Sequence, residues 1–319
     1  MNTDLPIKIQ LPDGFLEEEL RNDYLVSKKM KEIWAVELDL LKAFQEVCEK
    51  HHLIYYADGG TMLGAIRHGG YIPWDDDIDL MMPRKDYEKL CEVAESEFEY
   101  PYFFQTEFTD PTSLRGHAQL RNSKTTAILL YEYEGIRNFN QGIFIDIFPL
   151  DTVPDDERLF KKKVEQTEYN LTKARDLANI GAIYSPSPKN KPIRGLIKKL
   201  RYKMFSGYLK RFIDFDKYYK KYEEACQLYD DPNSKKIGMF FRVPFCNERT
   251  WYREDFAETT DFKFEMLTMS IPVGYERIMT TYYGPTWRIP AKAPSLHSGA
   301  IFDTRKSYLE YLKKKQSIK

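Results

Sequence analysis

A chain of 319 residues, 42% of them hydrophobic, is long enough to bury a sizeable core. Its 48 Lys and Arg against 49 Asp and Glu leave a net charge of −1 and a pI near 6.6, which exclude a global attraction to nucleic acid. Four scattered cysteines (Cys48, Cys91, Cys226, Cys246), no run of about 18 apolar residues, and a start without a signal-peptide pattern give the expectation of a cytoplasmic chain, soluble or peripheral on the inner face of the cell membrane.

In chain order, residues 1–27 carry Pro6, Pro12 and Gly14 and read as an arm over the surface. From Lys28 to His51, Ile33, Val36, Leu40, Phe44 and Val47 recur three or four apart, the spacing of one helix face. The apolar run 53–57 follows as a strand. Gly59-Gly60 then turn the chain, and Thr61 opens a helix with Met62, Leu63 and Ile66 on one side. Glycines let a phosphate approach the backbone, and amides at a helix start favour an anion. Gly59, Gly60 and Thr61 are therefore a candidate phosphate cradle; the simpler reading is a plain turn.

Behind Pro73 and Trp74, Asp75, Asp76, Asp77 and Asp79 crowd into a few positions. If Asp77-Ile78-Asp79-Leu80 is extended, Asp77 and Asp79 point to one side while Ile78 and Leu80 pack on the other. Such close like charges repel unless one takes a proton or a cation sits between them. Carboxylates and phosphate oxygens suit magnesium or manganese, so Asp77 and Asp79 are half of a candidate metal site. A solvated loop or an incidental calcium site is the alternative.

Residues 84–98 read as a helix with Pro83 at its start and Tyr87, Leu90 and Cys91 on its apolar side. Short strands are predicted at 102–107, 117–122 and 127–131, and a stronger one at 142–148. There Phe144, Asp146 and Phe148 share one face and Ile143, Ile145 and Ile147 the other. Asp146 is either satisfied by backbone amides or a further acidic group for the site. An outer helix is expected over 155–179, and a hinge over 181–192 with its three prolines. The segment 192–212 combines an apolar stripe with basic residues, the pattern of a helix lying on an anionic membrane or of a core helix with a solvated side. A helix over 215–229, strands at 241–245 and 264–273, a helix at Tyr275–Tyr283, a loop holding Trp287 and His297, and a fraying basic tail at 313–319 complete the chain.

The run GGTMLGAIRHGGYIPWDDDIDLMM (59–82) resembles the signature of the LicD family of bacterial phosphocholine transferases, with the fukutin-type proteins as more distant relations. The likeness continues in LRNSKT (120–125), GIFIDIFPLD (142–151), FKFEMLTMSIPVGYERIMTTYYG (262–284) and a tail with prolines up to His297, covering roughly residues 30–297. The resemblance implies an α/β (α+β) fold of nucleotidyltransferase type, a mixed sheet flanked by helices with a further helical region after the core strands. It divides the chain into an arm (1–27), a catalytic core (28–180), a basic helical insertion (181–230) and a part completing the acceptor side (231–319). It implies transfer of a phospho-alcohol, phosphocholine first, from a CDP-linked donor such as CDP-choline to a hydroxyl of a glycan or lipid-linked glycan, with release of CMP. Lipopolysaccharide, teichoic acid and capsule precursors are the acceptor classes it brings to mind.

With Mg2+ or Mn2+ as cofactor, the resemblance gives Asp77, Asp79 and Asp146 the metal and catalytic roles, Asp146 as ligand or as base. Asp75 and Asp76 would orient the site, and Arg67 and Arg121 would clamp a phosphate or brace an aspartate. A choline headgroup would need aromatic faces, for which Tyr71, Trp74, Tyr131, Tyr133 and Trp287 are candidates, Trp74 doubling as a packing wedge. Two departures stand out. Sixteen residues separate Gly60 from Asp77, more than in smaller nucleotidyltransferases, and the Pro-Ser-Leu-His tail lacks a charged cluster before His297. The rival readings are transfer of the nucleotide itself and a non-catalytic metal- or glycan-binding module.

Overall fold

The helix α1 (Lys28–His51) runs behind the main sheet and is buried on more than one stripe. The Ser27 hydroxyl caps it by accepting from the Met30 amide at 3.3 Å, and His52, with φ 54°, ends it in the left-handed region. Lys31, Glu32, Glu37 and Asp39 are buried together with its apolar residues, because the chain before it wraps its outer side. The amides of Lys8 and Ile9 donate to Asp39 Oδ1 at 2.7 and 2.8 Å, which holds that wrap in place. The computed structural model describes residues 4–111, 113, 115–129, 139–182, 215–241, 249–292, 297 and 299–317.

The expected arm contains regular structure. β1 (Glu19–Arg21) and β2 (Tyr24–Val26) form a hairpin whose turn residues, Asn22 and Asp23, both have positive φ. That is the conformation a two-residue hairpin loop favours, and Asn and Asp tolerate it.

Seven strands make the main sheet, and β8 (Ile143–Val153) is its spine. Its first half pairs antiparallel with β6 (Ala118–Asn122), which in turn carries β5 (Tyr102–Gln105). On the other side β4 (Asp79–Pro83) lies parallel to β8 and carries β3 (Tyr56–Ala57) antiparallel. The end of β8 pairs with β9 (Lys236–Gly238), followed by β10 (Thr250–Tyr252), so a stretch distant in sequence extends the same sheet. The helices α2 (Gly59–His68) and α3 (Arg84–Glu97) flank β4 on either side in the chain. This is the mixed sheet flanked by helices that the sequence predicts.

Outside the sheet, α4 (Glu157–Ala182) packs along α5 (Phe215–Cys226) around Leu171, Tyr219 and Tyr222. The strand predicted at 264–273 is present over 267–272 and forms half of a hairpin. β11 (Thr259–Phe264) and β12 (Leu267–Pro272) turn at Glu265, whose φ is 54°. The helix α6 (Tyr275–Tyr283) follows as predicted. β13 (Ile301–Asp303) pairs with β7 (Thr126–Ile128), and what was expected to be a fraying tail begins as a helix, α7 (Tyr308–Ser317). The predicted strand at 241–245 lies mostly outside the described residues, as does the predicted amphipathic helix at 192–212. Among the described residues no helix is long and apolar enough to cross a membrane.

Candidate active site

Parallel pairing of β4 and β8 sets Asp79 directly opposite Asp146. Asp77 stands two residues before β4, which starts at Asp79 rather than at Asp77 as predicted. The Asp146 amide nevertheless donates to the Ile78 carbonyl at 2.9 Å, so the segment before the strand stays against β8. The DxD pair and the third carboxylate therefore stand where the parallel pairing of β4 and β8 begins.

The glycine turn closes on the same place. α2 starts at Gly59 itself, with Asp58 as its N-cap and Gly59 at φ +45°. A Cβ on Gly59 would come within 3.9 Å of Asp79 Oδ2, and one on Gly60 would lie 2.4 Å from Asp75 Oδ2, so that the Asp75 carboxylate would have to move. Thr61 is buried, and its hydroxyl accepts from the Asp79 amide at 2.9 Å. It thus ties the first turn of α2 to the first residue of β4. The Trp34 indole donates to the Asp75 carbonyl at 2.9 Å, which fixes the acidic loop from behind.

His297 completes the edge from the far end of the chain. Its Nδ1 is 3.2 Å from Asp76 Oδ1 and 3.7 Å from Asp77 Oδ2, and one ligand atom from each of Asp76, Asp77 and His297 fits within 4.8 Å of the others. Burial disfavours charge on His297, but the Asp76 contact and the field of Asp146 and Asp75 outweigh it and raise its pKa.

Asp146 is held by two polar side chains. His117 Nε2 lies 3.0 Å from its Oδ1, and Gln119 donates to the same oxygen at 2.5 Å. Gln119 Oε1 in turn accepts from Arg121, whose other donors go to Gln105 Oε1 and the Gly142 carbonyl, both at 2.6 Å. Arg121 is fully buried, so its place is a brace within the sheet and not an open phosphate clamp. Burial pushes the Asp146 carboxyl up, yet His117, Arg115 and Gln119 more than offset this and hold it at about 2. Asp77 and Asp79 move the other way. Burial first, then Asp79 for the one and Asp146 and Asp58 for the other, raise both well above the ordinary carboxylate range.

The remaining predicted residues are spread more widely. Arg67 sits in the last turn of α2, donating to the Trp287 carbonyl and to His68 Nε2, each at 2.9 Å. Trp74 packs edge-on against Tyr24, as the wedge reading expects. Tyr71 and Trp287 are buried, Tyr71 stacked on Trp34 with ring centres 4.5 Å apart, so neither offers an open face to a choline headgroup. Tyr131 and Tyr133 lie outside the described residues.

Residues 52–174 match the family described as LicD/FKTN/FKRP, nucleotidyltransferase domain. Over 268 residues the chain is 25% identical to the lipopolysaccharide cholinephosphotransferase LicD of Haemophilus influenzae, covering 82% of this chain and 92% of that protein. Over 52–174, the part that holds the acidic residues, the chain is thus similar to the LicD family. An uncharacterised protein of Rickettsia prowazekii is 30% identical over 93 residues, 29% of this chain and 31% of its own length. One of Rickettsia typhi is 43% identical over 47 residues, 15% of each.

Sequence reasoning passed over several side chains at this site. Asp58 is fully buried, accepting from the Tyr282 hydroxyl at 2.6 Å and from Arg249 at 3.2 Å, and its own amide donates to the Asp79 carbonyl. Its position directly before the glycine pair was the available signal, since an Asp there caps a helix. His117, Gln119 and Arg121 were visible as a polar stripe at every second residue of a predicted strand.

The donor set also answers whether a divalent cation fits. Among the described residues Asp76, Asp77 and His297 bring ligand atoms within 4.8 Å of one another, Asp79 and Asp146 stand opposite each other on the adjoining strands, and the nearby Arg249 is already paired with Asp58. Oxygen ligands with an imidazole at the margin and a surplus of buried negative charge fit magnesium or manganese.

Proposed function

We propose that this protein transfers a phospho-alcohol, phosphocholine first, from a CDP-linked donor to a hydroxyl of a glycan precursor, releasing CMP in a magnesium- or manganese-dependent reaction. One observation carries the reading: the glycine turn that opens α2 lies against the paired carboxylates of Asp79 and Asp146. A helix start that favours anions, set beside an acidic edge that favours a cation, is what a diphosphate and its counter-ion require together. The Haemophilus relative, named for lipopolysaccharide and choline phosphate, sets the first donor and acceptor to try.

Asp77, Asp79 and Asp146 would hold the cation, with Asp76 and His297 at its margin. When bound, it would neutralise the charge that develops on the donor phosphates as the bond to CMP breaks. The chain's own groups do the rest. Amides of the first turn of α2 bind an anionic oxygen, and Thr61 keeps that turn in register with β4. Oδ1 of Asp146 is occupied by Gln119 and His117, which leaves Oδ2 for the cation and favours the ligand role over that of a base.

The test uses CDP-choline labelled in the choline or in the cytidine, magnesium and a lipopolysaccharide acceptor. Choline label on the acceptor with free CMP is the expected outcome. Cytidine label on the acceptor would replace this reading with nucleotide transfer, and a screen of other CDP-alcohols then ranks the donor.

A further inference from the structure

α2 ends where it does not begin. Its last turn, with the β1–β2 turn and the β11–β12 turn, encloses a cleft of about 430 Å³ lined by Arg21, Asn22, Arg67, His68, Lys263 and Glu265. The charges in this cleft do not balance. Its carboxylate is already engaged: Glu265 Oε1 accepts from Arg21 at 2.5 Å and from the Tyr71 amide at 3.1 Å, and Oε2 accepts from Arg21 at 3.3 Å, while Arg21 also pairs with Glu19 at 2.5 Å, which Lys31 balances at 2.9 Å. Arg67 spends two donors on neutral acceptors, and neither it nor Lys263 forms an ion pair with a described residue.

His68 adds a donor and no charge. Its Nε2 accepts from Arg67, so its proton resides on Nδ1. Burial first, then Arg67 and Arg21, push its pKa down to about 4, which keeps the ring neutral. The cleft therefore presents a half-buried guanidinium, an exposed ammonium and an imidazole N–H, with no carboxylate left to meet them. A guanidinium without a carboxylate partner in a concave, polar site is a receptor for an oxyanion.

The cleft and the candidate active site lie at opposite ends of α2, and the segment after α6 touches both ends. Tyr283 places its hydroxyl within 3.7 Å of where a Cβ on Gly59 would sit, and four residues on, Trp287 gives its carbonyl to Arg67. From Gly59 to His68, α2 covers roughly 15 Å at 1.5 Å per residue. A ligand touching both ends must be extended, which a small alcohol is not and an oligosaccharide is.

We infer that this cleft holds an anionic group of the acceptor glycan, a phosphate or a carboxylate, one or more sugars away from the hydroxyl that reacts. The assignment to an acceptor rests on the transferase reading above; the anion site does not.

Two measurements test it. Inorganic phosphate is titrated into the full chain in EDTA by calorimetry, so that no cation recruits it elsewhere. Wild type binds saturably, and Lys263→Glu, at an exposed position that folding does not need, weakens binding about tenfold or more, with Arg67→Gln in the same direction. Unchanged phosphate affinity in both variants overturns the inference. With active enzyme, Lys263→Glu raises the KM for an acceptor carrying anionic groups and leaves kcat and the donor KM as they were, while an acceptor stripped of those groups does not distinguish the variant from wild type. An effect on the donor KM alone overturns the acceptor assignment. Loss of phosphate binding in the variants, in a protein that turns over no CDP-alcohol, leaves the anion site standing and overturns the transferase reading instead.

Discussion

The two ends of one strand pair hold buried carboxylates in opposite circumstances. β4 and β8 run together from Asp79 and Asp146 to Pro83 and Leu150, and the next residues past that far end are Arg84 and Asp151. There the guanidinium grips the carboxylate with two bonds, 2.7 and 2.8 Å, and gives a third to Glu223 at 2.9 Å. Lys163 lies alongside, donating to the Thr152 carbonyl at 2.6 Å. Arg84, Asp151 and Glu223 are thus paired with one another. At the near end, Asp77 and Asp79 face other carboxylates and are pushed up in pKa. A cavity of about 1030 Å³ opens at the compensated end, so size and charge point in opposite directions. Charge decides, because a buried ion pair serves architecture, whereas uncompensated negative charge calls for a cation.

Breaking each end separately should therefore do different damage. Asp151→Asn leaves Arg84 buried with half its fork empty and should cost about 3–5 kcal/mol of stability, read as a lower urea midpoint. Whatever fraction stays folded should keep its turnover. Asp79→Asn should do the reverse, lowering turnover by about 10²–10³-fold. Its melting temperature in EDTA should hold or rise, since the substitution removes a repelling charge. A destabilised Asp79→Asn protein, or an inactive but fully stable Asp151→Asn protein, would dissolve the contrast between the ends.

His117 sharpens the contrast within the acidic end. It is the neighbour that keeps Asp146 ionised while Asp77 and Asp79 are not so helped. His117→Ala should weaken magnesium or manganese binding by about 10–100-fold, the usual loss when a ligand's supporting partner goes. Calorimetry with the metal alone reads this, with Gln119 left to hold the carboxylate. Equal metal affinity in variant and wild type would show that His117 merely packs on Phe148 and Phe241.

Much of this site is legible in the sequence because it is built on short periods. Residues two apart in DxD and in Phe144-Asp146-Phe148 announce shared faces, and strand pairing brings the two faces together. The same period runs through His117-Gln119-Arg121, but a polar stripe does not say what it supports until its partner strand is known. α1 is legible from its spacing. The β11–β12 turn is not, since Glu265-Met266 offers neither glycine nor proline to mark it, only a shift of the apolar positions from 262, 264 and 266 to 267, 269 and 271. Glu265 holds its positive φ because tertiary contacts fix it: its amide donates to the Gly69 carbonyl at 2.9 Å while its carboxylate takes Arg21. The β1–β2 hairpin escapes for a related reason, as Leu20 and Leu25 pair across it with both side chains exposed and leave no inside-outside alternation. α7 depends on the Tyr308 amide reaching the Thr125 carbonyl at 3.0 Å, a long-range tie that a basic tail does not advertise.

The subtlest difference between the two ends is carried by Glu37, one helix layer behind the acidic edge. It is buried in α1 and accepts from the Tyr71 hydroxyl at 2.9 Å, and among the described residues no cation pairs with it as Arg84 does with Asp151. Burial first, then Asp76, Asp75 and Asp79, raise its pKa well above the ordinary 4.5. The folded state therefore keeps a proton that the unfolded chain releases. Stability linked to Glu37 is full below about pH 4.5 and is lost as pH rises toward the folded pKa, by up to about 1.4 kcal/mol per pH unit. Glu37→Gln keeps an acceptor for Tyr71 and has nothing to titrate, so its melting temperature in EDTA should decline less than that of wild type as pH rises above 5. Magnesium should narrow the gap, because a cation at the edge removes part of the field that Glu37 feels. Parallel melting curves for variant and wild type across that range would mean that Glu37 is ionised in the fold, and that the acidic edge does not reach it.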